Sequence, residues 1–358
     1  GIPVAETQAG KGALAFGHEF NAGSIGVTGA SAANTLAAGA DLILAIGTRL
    51  QDFTTGSRAL FTAEGRRILH LNVAARDAEK HGGLPLVADA ARGLAALDAM
   101  IGDWKAPADW QNRAAGLRRD WHDAVARATA PANTALPSDA EVIGVVDRAL
   151  GDTATVVCAA GGLPGELHKL WRARGPASYH VEYGFSCMGY EIAGGLGVKL
   201  AMPDREVVVM VGDGSYLMLN SEIATSVAMG LKLIVVVLDN RGFGCINRLQ
   251  QATGGAPFNN MLADTHHAAD VPVDFVKHAE SLGAIAEKAD DLAALEAALG
   301  RARTADRTTV IVIDTDPVKA TEAGGAWWDV AVPAVSPRPE VEAARRRYES
   351  AVAHQALV

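Results

Sequence analysis

Glu206-Val207-Val208-Val209-Met210-Val211-Gly212-Asp213-Gly214-Ser215 decides the fold. The centre of this run is apolar and mostly β-branched on both parities, as a strand covered on both faces requires. Glycines end it, so the chain leaves the sheet there. A second apolar run, Leu233 to Leu238, follows a stretch of helical character. Asp213 lies at the C-terminal end of the first strand and Asn240 just past the second. A helix of about twelve residues between them has the length of a right-handed βαβ crossover. Paired strands lie about 4.8 Å apart. Their side-chain oxygens then meet above the sheet edge where open α/β sheets bind ligands.

The same alternation extends outward. Residues 41–47 and 67–73 read as buried strands, and Ser31 to Gly39 as a helix. Residues 107–128 are charged and helical. Thr129 to Pro137, with two prolines and small residues, is the expected linker. Ser138 and Glu141 form a capping-box pattern that opens a helix to about Leu150. Strands are expected at 155–159 and 308–313, a glycine-rich turn at 161–165, and helices at roughly 188–201, 218–230, 273–282 and 290–303. The reading is α/β, with two doubly wound parallel-sheet domains at 1–130 and 138–320. A tail over 321–358 carries Trp327-Trp328 and a basic helix at Arg345-Arg346-Arg347. The tryptophans are read equally as a lid over a ligand or an anchor for the tail.

Composition narrows the function classes. The 358 residues carry a net charge of −9, which repels phosphate backbones and argues against nucleic acid as a partner. No apolar run reaches the roughly 18 residues of a membrane span, and no signal peptide is visible, so a cytoplasmic enzyme is expected. Cys158, Cys187 and Cys245 form no CxxC pair and read as free thiols. No GxGxxG follows a strand and no GxxxxGK[ST] occurs, so neither a flavin nor a P-loop phosphotransferase is expected.

Asp213 and Asn240 offer hard oxygen donors. Mg²⁺ takes about six such donors but only one or two protein carboxylates, leaving the rest to phosphates and water. Gly212 and Gly214 let the backbone approach a polyanion. The helix after Ser215 points its N-terminus at the same place, which favours phosphate. Arg241-Gly242-Phe243-Gly244 continues the asparagine loop, with glycines able to turn a carbonyl toward a metal.

GDG followed by Asn after 25 intervening residues resembles the thiamin diphosphate signature. Cys187-Met188-Gly189-Tyr190 and Ala193-Gly194-Gly195-Leu196-Gly197 extend the likeness to the acetolactate-synthase-like enzymes, as does Asp274 to Glu280. Four stretches, GIPVAETQAGKGAL from Gly1, EYGFSCMGYEIAGGL from Glu182, GDGSYLMLNS from Gly212 and GGAWWDV from Gly324, are similar to the members that open a polyhydroxy cyclic 1,2-diketone in inositol catabolism.

The resemblance implies thiamin diphosphate and Mg²⁺ as cofactors. It implies Asp213, Asn240 and the Gly242 carbonyl as metal ligands, with Gly212, Gly214, Ser215, Phe243 and Gly244 around the diphosphate. Gly162 and Leu163 would reach it from another side. The Ser186 carbonyl would accept from the aminopyrimidine, and Met188 would prop the cofactor in its bent form. The implied reaction is hydrolytic carbon–carbon cleavage to a ring-opened deoxy sugar acid. His180, Glu182 and Gln250 are candidates near the substrate, and His70 is expected to be structural. A 2-keto-acid synthase or lyase, or a piece that binds the cofactor without catalysis, are the competing readings.

In this superfamily a pyrimidine-binding domain precedes a middle and a diphosphate-binding domain. Residues 1–130 are similar to a middle domain without its first strand, and 138–320 to the diphosphate domain. No stretch matches the pyrimidine domain or its glutamate, and Glu6 is not given that role. Gly1-Ile2-Pro3-Val4 reads like the interior of a domain, so a longer chain is expected. So is a homodimer or homotetramer with its active sites between subunits.

Overall fold

Long β-branched runs and short glycine-punctuated connections make two compact units, which the computed structural model describes over residues 1–132, 134–267 and 272–355. Asn133 of the expected linker and the last three residues of the expected tail lie outside the described residues.

Unit 1 comprises Gly1–Gln8, His18–Asp123 and the chain from Glu322 on. Strands β1 (Val4–Glu6) and β2 (Asn21–Ser24) pair in parallel. Strands β3 (Leu42–Ile46), β4 (Arg67–Asn72) and β5 (Leu84–Val87) form a second parallel sheet in that order. The helix Ser31–Gly39 lies where the sequence puts it. The chain after Glu322 is tied into this unit. Gly325 N donates to Gly29 O at 2.7 Å, and Asn34 Nδ2 donates to Gly325 O at 3.0 Å. Trp328 Nε1 donates to Asp52 Oδ2 at 3.3 Å, its ring edge-on to Phe53 at 5.6 Å, and Trp327 lies against Tyr348. Trp328 therefore ties the tail to the rest of this unit, while Trp327 packs within the tail itself. His70 is fully buried with Nε2 2.7 Å from Thr48 O, a structural role.

Unit 2 comprises Ala9–Gly17 and Ala124–Thr321. Its six strands are β6 (Ala154–Cys158), β7 (Tyr179–Val181), β8 (Glu206–Gly212), β9 (Ile234–Asp239), β10 (Ile285–Ala289) and β11 (Thr309–Asp314). All are parallel, in the order β10-β11-β9-β8-β6-β7. Val207, Val209 and Val211 pack with Ile192, Leu196, Ile223 and Phe275 on one face. Val208, Met210, Val236 and Ile311 are equally buried on the other, the side of helices Asp139–Leu150 and Leu292–Thr304. The run that opened the sequence is thus a central strand covered twice.

The order reverses at β6. Strand β7 lies on one side of it and β8 on the other, making the gap between the C-terminal ends of β6 and β8 a topological switch point. Strand β9 pairs with β8 with Gly212 opposite Leu238, so the residues that follow, Asp213 and Asp239, leave the sheet side by side.

The connection from β8 to β9 differs from the single helix expected. It is Asp213–Met218, then Glu222–Ala228. Leu219 is extended, and Asn220 Nδ2 bonds back to Tyr216 O at 3.0 Å, competing with helix continuation. The capping box does form. Ser138 Oγ accepts from Glu141 N, while Ser138 N donates to Glu141 Oε2 at 2.9 Å. Both ends of the expected linker are embedded in unit 2. Thr129 is buried with Oγ1 donating to Val125 O, and Pro137 O accepts from Asp316 N.

Candidate active site

The loops leaving β6, β8 and β9 at the switch point carry the candidate residues. Asp213 is 7% exposed, and its Oδ2 accepts from Gly242 N at 2.8 Å. The GDG turn is thereby fastened to the asparagine loop. Burial and then the neighbouring charge of Asp239 push the Asp213 carboxyl up to about 7. Asp239 has its own partner in Arg241 at 3.4 Å, whereas Asp213 has no cationic partner among the described residues. Asn240 Oδ1 is buried and accepts no hydrogen bond. An orphaned amide oxygen costs about 1–3 kcal/mol when nothing occupies it.

The glycines around this pair are there for reasons of space. Gly242 has φ +146°, outside the range of other residues, and a Cβ on it would lie 2.5 Å from Asn260 O. A Cβ on Gly214 would lie 2.6 Å from the Phe243 ring. Gly162 faces Arg248, whose Nη2 would be 2.8 Å from an added Cβ. An unbalanced buried carboxylate, an orphaned amide oxygen and a glycine-only carbonyl beside them suit a hard divalent cation. Its charge would return Asp213 to the ionised form.

The remaining candidates lie in the segment before helix Tyr190–Ala201. Ser186 sits in the left-handed region at φ +54°, with its hydroxyl on Ala159 O at 3.1 Å. Met188 is half-buried just before the helix. Glu182, one of the candidates near the substrate, is bonded to its own loop. Its carboxylate accepts from Phe185 N at 3.0 Å and Cys187 N at 2.7 Å. Burial pushes its pKa up, but these N–H groups outweigh that and hold it below the usual carboxylate range. His180 is bonded to the Tyr190 hydroxyl at 2.7 Å, and Gln250 Oε1 accepts from Asn260 Nδ2.

Two buried carboxylates here were not foreseen. Glu191, 1% exposed, accepts from Ser215 Oγ at 2.9 Å, from Gly189 N at 2.9 Å and from Ala160 N at 3.3 Å. Burial raises its pKa in spite of those donors. Ser215 therefore spends its hydroxyl hydrogen on Glu191, not on a phosphate. Asp139, at the start of helix Asp139–Leu150, is pushed up to about 7 by burial and then by Glu166.

Known proteins match this sequence. Residues 159–313 match the family described as thiamine pyrophosphate enzyme, C-terminal TPP binding domain, and residues 1–97 match its central domain. The chain belongs to the thiamine pyrophosphate enzymes. It is 40% identical to a 3D-(3,5/4)-trihydroxycyclohexane-1,2-dione hydrolase of Geobacillus thermodenitrificans, over 96% of this chain and 58% of that protein. Proteins of the same description from Bacillus cereus and Bacillus thuringiensis are each 38% identical, over 99% of this chain and 59% of theirs. The chain thus spans a little under three fifths of the length of the relatives it matches. In a thiamine pyrophosphate enzyme the TPP binding domain is where the cofactor belongs, and the match covers Asp213, Asn240, Ser186, Met188 and Glu191 alike. No helix among the described residues is long and apolar enough to cross a membrane.

Proposed function

We propose that this chain is the central and cofactor-binding part of a Mg²⁺- and thiamin diphosphate-dependent hydrolase that opens a polyhydroxy cyclic 1,2-diketone, as in inositol catabolism. One observation carries the cofactor half of this reading. Asp213 is fixed to the N–H of Gly242 while the buried Asn240 oxygen two residues earlier has no protein partner. The likeness to trihydroxycyclohexane-1,2-dione hydrolases supports the substrate half. When bound, thiamin diphosphate supplies an electron sink for breaking a carbon–carbon bond beside a carbonyl.

The chain's own residues bind and orient. Asp213, Asn240 Oδ1 and the Gly242 carbonyl would hold Mg²⁺. Backbone N–H groups of Gly214 and Ser215 would face the diphosphate, with Gly162 and Leu163 on a second side. Gly212, Phe243 and Gly244 shape the floor of that cradle. The Ser186 carbonyl is offered as acceptor to the aminopyrimidine, and Met188 as the support beneath it. In the net reaction water adds across the cleaved bond. Its hydroxyl goes to the acyl carbon and its hydrogen to the other carbon, giving an open-chain acid.

We place the complete active site in a cytoplasmic homodimer or homotetramer that also supplies a pyrimidine domain. Calorimetric titration of thiamin diphosphate with Mg²⁺ into the full-length enzyme tests the cofactor half. Binding that needs Mg²⁺ and is lost in Asp213→Ala supports it, and unchanged affinity in that variant refutes it. Product analysis of the full-length enzyme, cyclic diketone against pyruvate, tests the substrate.

A further inference from the structure

Glu191 is a buried carboxylate held by a hydroxyl and two backbone N–H groups. Its bonds reach three separate places. Ala160 follows β6 and precedes the Gly162 turn, Gly189 follows Met188, and Ser215 follows Gly214. Each donor is thus within two residues of a position that the cofactor reading uses. The three segments come from different parts of the chain and share no strand.

The bonding is specific to a carboxylate. Oε1 takes both the Ser215 hydroxyl and the Ala160 N–H, while Oε2 takes the Gly189 N–H. A carboxamide satisfies one side and turns its NH₂ against a donor on the other. Gly189 itself sits at φ +93°, where other residues are strained, so its N–H direction is set by backbone and carboxylate together.

We propose that Glu191 is a positioning residue for thiamin diphosphate, holding the diphosphate-facing turn at Gly214-Ser215 and the Met188 support in one arrangement. This rests on the reading that this sheet edge takes the cofactor. It goes beyond that reading by assigning the alignment of both ends of the cofactor to one buried side chain that touches neither. It also sets the Ser215 hydroxyl apart from phosphate binding and leaves that task to backbone N–H groups.

The experiment compares wild type, Glu191→Gln and Glu191→Ala of the full-length enzyme by calorimetric titration of thiamin diphosphate at saturating Mg²⁺. Far-UV circular dichroism and apo melting temperature are recorded on the same samples. Loss of one charge-assisted bond predicts about tenfold weaker binding for Glu191→Gln, and loss of the whole set about a hundredfold for Glu191→Ala. Both proteins should remain folded well above the titration temperature. A purely structural staple would lower the melting temperature and leave cofactor affinity unchanged, and that result overturns the proposal. Should Glu191→Ala fail to fold, the tenfold loss in Glu191→Gln decides. If wild type binds no cofactor, the parent reading and this one fall together. If wild type binds and all three affinities agree, only this one falls.

Discussion

Replacing Asp139 by Asn should flatten the pH dependence of stability and stabilise the protein above neutrality. Asp139 is 8% exposed, its Oδ1 accepts no hydrogen bond, and Glu166 adds a like charge nearby. Together these raise its pKa from 3.8 to about 7, with Arg248 pulling the other way. In the unfolded chain the proton leaves near pH 3.8, and in the folded chain only near 7. Between those values the folded state holds the extra proton. Stability therefore falls as pH rises through that window and stays reduced above it. A shift of roughly three pH units corresponds to at most about 4 kcal/mol. An amide at the same buried position keeps part of the desolvation cost, so a gain of about 2 kcal/mol at pH 8 is expected. Urea denaturation followed by circular dichroism at pH 5, 6, 7 and 8 measures it. The two proteins should differ little at pH 5 and increasingly toward pH 8. Parallel curves, or a variant less stable than wild type at pH 8, would refute the reasoning.

Three further outcomes follow from packing and access. Gly195→Ala should destabilise by about 1–3 kcal/mol in urea, because its Cβ would fall 2.4 Å from Val209 Cγ2, although Ala favours helix by about 1 kcal/mol. Asn240→Leu should leave the apo melting temperature unchanged or higher, since the oxygen removed has no partner, yet abolish Mg²⁺-dependent cofactor binding in calorimetry. Iodoacetamide should label the exposed Cys187 in the native protein. It should reach Cys158 only on unfolding, because burial pushes that thiol up to about 12, as mass mapping of labelled peptides will show.

The central strands were legible because double burial leaves no room for polar residues, and that constraint is written directly into Val207 to Val211 and Leu233 to Leu238. That Asp213 ends beside the loop of Asn240 and Gly242 was legible for the same reason, since strand ends fix where the next residues stand. What failed to show depended on partners distant in sequence. Glu191 looked like one polar residue in a glycine- and alanine-rich helix, and its three donors lie in separate segments. Asp139 looked like an ordinary first-turn acid after a capping serine, and nothing local announces that Glu166 and Arg248 surround it. Strand β10, Ile-Ala-Glu-Lys-Ala, carries the mixed pattern of an edge and resembles helix by composition. The break at Leu219 turns on one side-chain bond from Asn220, too weak a cue to end a helix on the page. Glu182 could be placed only as a polar residue near strand ends, because the loop N–H groups that its carboxylate accepts from follow it in a turn that has no local signal.

The contact between Asp213 and the N–H of Gly242 is measured out by the main-chain ladder from Val208 to Gly212. Lineages of this protein can therefore lengthen or shorten the helices between β8 and β9 with little effect on the grip. A single inserted residue within Val207–Val211 would slide the ladder by one rung and turn every following side chain about. The carboxylate would then leave its partner while every residue of the candidate site remained spelled out in the gene. Insertions should accordingly collect in the crossover and be absent from the strand, a pattern that sequencing of variants surviving selection can read directly.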